Sequence, residues 1–222
     1  MRLATFLLSI LFIALASTPI YAASDRCPRQ QTKTHLKSKL AKTRVFKGTS
    51  SDFSEYVTGH QRAEGNKILG FVSQDEIYTK LNYKYDVKKV GENQYCVNLE
   101  EVNGYFYAAP KLYLPTDYKK SSCEYKQIRK HEKRHLQAVY DFHKRSVGKY
   151  SAHLGRVART VPVSKPVTTQ QEVDYVKKSI ANYFEQEFRA FEVKSMQQLT
   201  AIQNKIDSPQ EYIGVRKRCK NW

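Results

Sequence analysis

The chain contains no Cys-x-x-Cys pair, no arginine-rich tract, no helix-turn-helix or RNA-binding motif, and no internal repeat or low-complexity segment. The first absence excludes a cysteine-based zinc site and a redox pair. The second and third exclude specific nucleic-acid recognition as the main role. Acidic residues are scarce, 21 against 38 Lys and Arg, which leaves a net charge of +17. That balance suits an anionic neighbour such as lipopolysaccharide, a membrane surface or peptidoglycan polymers, or serves solubility alone. Long apolar runs are also missing. The one candidate, residues 3–16, falls short of the ~20 residues a membrane span needs. It follows Arg2 and precedes Ser17-Thr18-Pro19-Ile20-Tyr21-Ala22, the pattern of a signal peptide over residues 1–22 cut after Ala22. A retained N-terminal anchor is the alternative. The mature chain, residues 23–222, then reads as one secreted or periplasmic domain with no transmembrane span.

Cysteine is sparse but even in number: Cys27, Cys96, Cys123 and Cys219. In an oxidising compartment four cysteines make two disulfides, with three pairings possible. The preferred pairing is Cys27–Cys219, tying the termini, with Cys96–Cys123 tying a strand to a helix.

Residues 23–120 read as mainly strand and loop. Residues 36–43 suggest a short helix, Arg44-Val45-Phe46 a strand, and Ser50-Ser51-Asp52 the start of a brief helix. From Ile68 onward the apolar period is two, with many Tyr and Val residues, so 68–72, 77–87 and 94–101 read as strands. Gly91-Glu92-Asn93 and Asn103-Gly104 are turn signals. A last strand over 105–114, with Pro110 inside it and Pro115 directly after it, is expected at a sheet edge, where an extended peptide can pair. Residues 121–222 read as mainly helical. Ser121-x-x-Glu124 and Thr169-x-x-Glu172 are capping boxes. The first opens a helix expected to stop at Gly148, with a further helical stretch over 150–159. The second opens one running to about Ile206, where Asp207-Ser208-Pro209 ends it. The fold class is α+β: a small antiparallel sheet against two long helices.

The first helix holds His131-Glu132-Lys133-Arg134-His135. At about 100° per residue, Ile128, His131, Glu132, His135, Leu136, Val139 and Phe142 share one stripe, whereas Lys126, Lys130, Lys133, Arg134, Gln137, Lys144 and Arg145 fall outside it. Two imidazoles one turn apart on an inward face suit a shared zinc ion, and Glu132 between them suits a general base. Polar groups on that face are costly unless satisfied, and a metal with its water satisfies all three.

A catalytic zinc site needs a third protein ligand and an open position. Glu187 is the preferred third ligand, because it falls within the stripe Val176, Ile180, Tyr183, Phe184, Phe191, Leu199 and Ile202 of the last long helix. Glu185, Glu192, Asp141 and His153 are alternatives. His143 faces inward but lies about 12 Å beyond His135, so it reads as a buried, hydrogen-bonded histidine.

His131-Glu132-x-x-His135 with a later helical glutamate resembles the zincin metallopeptidases, specifically their thermolysin-like, gluzincin branch. It is also similar to small secreted bacterial proteins that carry this pentad with unassigned substrates. The resemblance covers well under half the chain. It implies a zinc cofactor, a peptide or protein substrate, Glu132 as base, and a hydrogen-bond donor for the oxyanion, for which Tyr183 is the first candidate and Tyr140 and His143 follow. Two other functions fit the same residues: a non-catalytic cationic protein that binds anionic envelope polymers, and a peptidoglycan amide hydrolase.

Overall fold

A computed structural model describes residues 26–56 and 69–220, so the proposed signal peptide lies outside the described residues. The chain is α+β. Its elements run β1 (Lys33–Leu40), β2 (Arg44–Gly48), α1 (Ser50–Tyr56), β3 (Phe71–Ser73), β4 (Ile77–Gly91), β5 (Gln94–Ala108), β6 (Lys111–Pro115), α2 (Cys123–Thr160), α3 (Gln170–Ile206) and α4 (Pro209–Arg216). The first sheet has order β1-β5-β4 and the second β2-β6-β3. Both are mixed rather than antiparallel, because β1 runs parallel to β5 and β2 parallel to β6.

The β4–β5 hairpin is the backbone of the first sheet. Its turn falls on Glu92-Asn93, and Asn93 takes φ of 60°, a left-handed conformation that asparagine tolerates better than most residues. Asn103-Gly104 is not a turn: β5 runs straight through it, with Asn103 opposite Asn82 and Gly104 opposite Leu81. The glycine is there for room. A Cβ on Gly104 would lie 2.8 Å from Leu36 Cδ1 and 2.9 Å from Leu154 Cδ1, and Leu154 is fully buried. Gly104→Val is therefore expected to cost about 1–3 kcal/mol through overpacking, read as a lower urea midpoint at unchanged slope.

Residues 36–40, expected as helix, are strand. Pairing with β5 overrides weak local preference, placing Leu36 opposite Gly104 and inward against the core. The expected last strand divides at Ala109-Pro110. Residues 105–108 finish β5, the centre of the first sheet, and Lys111–Pro115 form β6, the centre of the second. Neither is an edge. The prolines sit at the switch between sheets and at the end of β6, where no ladder hydrogen bond is lost.

The inner face of the first sheet packs on α2 and α3. Phe106 lies at the centre, fully buried, stacked on Tyr150 at 4.5 Å and on the His143 ring at 4.7 Å. His143 is buried as expected, and burial holds its pKa below the ordinary histidine value despite a backbone hydrogen bond at Phe106. The second sheet packs on the first turns of α2 through Leu112, Leu114 and Tyr125.

α2 does not stop at Gly148 but continues for 38 residues to Thr160. A Cβ at Gly148 would meet nothing within 4 Å, so this glycine marks an open helix surface and not a terminus. Tertiary packing on both sides carries the helix past it. α2 and α3 form an antiparallel hairpin. His153 of α2 lies at the Glu187 carbonyl of α3, at 3.3 Å, and His135 lies at Gln203. α3 opens on the Thr169–Glu172 capping box.

The disulfides are Cys27–Cys96 and Cys123–Cys219, with Cα separations of 5.5 and 5.8 Å. The preferred pairing is corrected on both counts. The helical hairpin returns the C-terminus to the start of α2, bringing Cys219 to Cys123. The N-terminal arm runs beside β5, where the Cys27 amide donates to the Ser164 carbonyl at 3.0 Å. Two disulfides suit an oxidising compartment, and no helix among the described residues is long and apolar enough to cross a membrane.

Candidate metal centre

The pentad stripe is buried as its periodicity requires. His131, Glu132 and His135 are 6 %, 4 % and 6 % exposed, and Lys126, Lys130, Lys133, Arg134, Gln137, Lys144 and Arg145 all face solvent. The imidazoles converge. His131 Nε2 and His135 Nε2 are 3.2 Å apart, and both point at Asp207 Oδ1, at 3.1 and 2.9 Å. Among the described residues this is the group of side chains placed to hold a metal ion.

Asp207 thus stands where Glu187 was expected. It is the C-cap of α3, and its amide donates to the carbonyls of Gln203 and Lys205. Ser208 then caps α4, so Asp207 is held at the junction of two helices. α4 folds back over the start of α2. It is held by the Arg134–Glu211 ion pair at 2.6 Å and by the Cys123–Cys219 bridge that follows it. Tyr212 of α4 donates its hydroxyl to Asp207 Oδ1 at 3.2 Å, and its ring lies 5.4 Å from that of His131.

Glu187 is exposed, beside buried Phe188, and lies about 24 Å along the helix from Gln203 at 1.5 Å per residue. The buried line of α3 runs through Val173, Ile180, Phe184, Phe188, Glu192, Ser195, Leu199 and Gln203, which puts Glu187 one residue off it. Tyr183 lies still further away and donates to Thr160 Oγ1 at 3.1 Å, so it is not at the pentad. The other candidates are also engaged elsewhere. Glu185 accepts from Tyr83 at 2.9 Å, Glu192 pairs with Arg189 at 2.8 Å, and Asp141 accepts from Gln137 at 3.0 Å on the exposed face of α2. His153 sits against Glu187 and Phe191, and the Tyr140 hydroxyl is hydrogen-bonded to Thr43.

The hydrogen bonds around the cluster fix the tautomer of His135. Gln203 Nε2 donates to the His135 carbonyl oxygen at 3.2 Å, which turns Gln203 Oε1 toward His135 Nδ1. An amide oxygen only accepts, so His135 Nδ1 carries a proton. In neutral His135 the bare lone pair is then at Nε2, facing the Asp207 carboxylate. Acceptors that converge this way need a cation between them, either a proton on His135 or a metal ion. The separations of 2.9–3.2 Å are close to the ~3.3 Å expected between ligands held tetrahedrally about 2.0–2.1 Å from zinc. The Gln203 contact is the outer hydrogen bond that fixes tautomer and ring orientation in metal-bound histidines. The donor set therefore fits zinc. The Asp207 side chain is 41 % exposed, which leaves one side of the cluster open to solvent.

Electrostatics agree with this picture. Burial alone would lower the His135 pKa, but the Asp207 hydrogen bond and the charges of Glu132 and Asp207 outweigh it and hold it above the ordinary value. Burial would raise Asp207, but its bonds to the two imidazoles hold it well below the usual carboxylate range. Burial pushes Glu132 up to about 7, against the pull of His135 and His131. Burial also raises the Tyr212 hydroxyl, helped by the charge of Asp207, so it remains a donor. Glu132 Oε2 and His131 Nδ1 are buried with no hydrogen-bond partner among the described residues. An unpartnered carboxylate oxygen is expensive to bury.

Asp207, Gln203 and Tyr212 were not expected from the sequence. α2 opens on Ser122, whose hydroxyl accepts from the Tyr125 amide, and not on the expected Ser121–Glu124 box. A signal for the first two existed all the same: two long helices joined by a short connection run antiparallel, so the pentad near the start of one meets the end of the other. No family model matches the chain, and no curated protein or solved structure matches it either.

Proposed function

We propose that the protein is a secreted or periplasmic zinc-dependent hydrolase of peptide bonds, with His131, His135 and Asp207 as the metal ligands and Glu132 as the general base. The observation that supports this most is the convergence of three ligand atoms within 3.2 Å beside a buried carboxylate with an unpartnered oxygen. It resembles the zincin arrangement, with an aspartate at a helix junction in place of a helical glutamate. When bound, zinc supplies Lewis acidity, lowering the pKa of water and polarising a carbonyl.

The remaining roles belong to the chain. Glu132, with a pKa near neutral in its buried site, accepts the proton of the attacking water and returns it to the leaving amine. Gln203 orients His135. Tyr212, adjacent to Asp207 and partly exposed, takes the oxyanion-donor role first expected of Tyr183 by turning its hydroxyl away from Asp207 Oδ1. Arg134, Glu211 and the Cys123–Cys219 bridge keep α4, and so Tyr212, over the histidines.

A donor set of two histidines and one aspartate also accommodates ferrous iron; the neighbouring base favours hydrolysis. Elemental analysis of purified protein is expected to give close to one zinc per chain. Cleavage of an unstructured protein such as casein is expected to disappear with a chelator and return with added zinc. Cleavage indifferent to chelation, or iron in place of zinc, would overturn the proposal.

A further inference from the structure

The first sheet has a second face. Strand alternation sends Leu36, Leu81 and Phe106 inward to the core, and the described helices that touch this sheet, α2 and α3, lie on that inner side. The outer face is built from residues in register. Lys39, Tyr107 and Tyr78 form one cross-strand row, and Lys37, Tyr105 and Lys80 the next. His35, Asn103 and Asn82 follow, then Lys33, Glu101 and Lys84. Side chains in register share a face. Every lysine in these rows is solvent-exposed and the three tyrosines are half-buried.

The two halves of this face differ. At one end Glu101 lies 3.7 Å from His35, and Lys84 is paired with Glu100 at 2.9 Å, so charge is largely balanced. At the other end Lys37, Lys39 and Lys80 have no carboxylate in their rows. Lys80 Nζ lies 5.4 Å from the centre of the Tyr78 ring, within cation–π range, and otherwise faces water. The tyrosines pack on one another, Tyr78 on Tyr107 at 5.2 Å and Tyr105 on Tyr107 at 6.0 Å. The result is a patch of apolar ring surface with phenol donors, framed by three ammonium groups.

We propose that this end of the outer face docks an anionic polysaccharide, a carboxylate-bearing sugar polymer. Ammonium groups match its acids, and tyrosine, apolar in the ring and polar at the tip, matches a sugar ring that is apolar on its C–H faces and polar at its rim. Single-stranded nucleic acid fits less well. The rings already pack on one another, which limits the faces on which a base could stack. The face also carries no arginine, the residue suited to forked phosphate recognition. The surface does not depend on the metal cluster, so either can fail without the other.

The test is binding to polygalacturonate, with dextran as the neutral polymer and a 20-nucleotide oligo-dT as the nucleic acid, at near-physiological salt. Wild type is expected to bind polygalacturonate and not dextran. The triple variant Lys37→Gln/Lys39→Gln/Lys80→Gln is expected to bind at least tenfold more weakly. A control triple of equal charge loss on the helices, Lys144→Gln/Lys178→Gln/Lys194→Gln, is expected to stay within threefold of wild type. Tyr105→Ser/Tyr107→Ser is expected to weaken binding at unchanged charge; if it unfolds, the lysine triple alone decides. Equal losses in the two triples would reduce the interaction to bulk charge and overturn the proposal. So would oligo-dT binding more tightly than polygalacturonate, or no polygalacturonate binding by wild type.

Discussion

Glu132→Gln is expected to retain its metal and lose its hydrolysis. Glutamine matches glutamate in size and keeps a hydrogen-bonding head group but cannot accept a proton. A positioned general base contributes about 10²–10⁴ in rate, so kcat should fall by that much with one zinc per chain still bound and KM little changed. The same substitution carries a stability signature. The folded-state pKa of Glu132 is pushed up to about 7 by burial, so the folded, metal-free protein favours the protonated acid. The associated stability is full below the ordinary glutamate value and is lost as pH rises through 7. Glutamine has no such loss. Metal-free Glu132→Gln should therefore match wild type at pH 4 and be more stable at pH 8, by roughly 3 kcal/mol from the linkage relation. An inactive variant with an unchanged pH–stability curve would mean that Glu132 is not the buried acid described here. A fully active one would remove it as the base.

Asp207→Ala is expected to lose the metal. It removes one of three protein ligands and also the carboxylate that holds both imidazoles and the Tyr212 hydroxyl. Loss of an outer partner of a metal site costs about 10–100-fold in affinity, and loss of a ligand should cost more, so zinc affinity should drop by at least 10²-fold. Three further variants sharpen the test. Gln203→Ala should fall in the 10–100-fold range, because it frees the His135 ring without removing a ligand. Glu187→Ala and Tyr183→Phe should bind zinc like wild type. Affinity in wild type should weaken as the solution is acidified, because Asp207 and Glu132 favour a proton on His135 and that proton must leave before the nitrogen can ligate. Zinc retained in Asp207→Ala but lost in Glu187→Ala would reverse the ligand assignment.

What the sequence alone determined is local. The period of α2 placed His131, Glu132 and His135 on the buried side and seven basic or polar positions on the other, because side-chain direction in a helix depends only on spacing. The capping box at Thr169, the stop at Asp207-Ser208-Pro209 and the turn at Glu92-Asn93 are likewise set by a few neighbouring groups. The tertiary structure decided whatever depends on which distant residues meet. Gly148 and Asn103-Gly104 carry the local chemistry of a stop and a turn, yet packing on both sides runs a helix and a strand straight through them. With α2 ended at Gly148 in the sequence reading, the helical hairpin and its register were hidden, and Glu187 was preferred because it fell within the apolar stripe of the last long helix. In the folded chain the antiparallel register sets Glu187 against His153 and sets Gln203 and Asp207 against the pentad. The same fold-back pairs Cys123 with Cys219. Asp207 was legible as a helix end but not as a ligand, because a residue's backbone role is written in its neighbours and its partner across the fold is not.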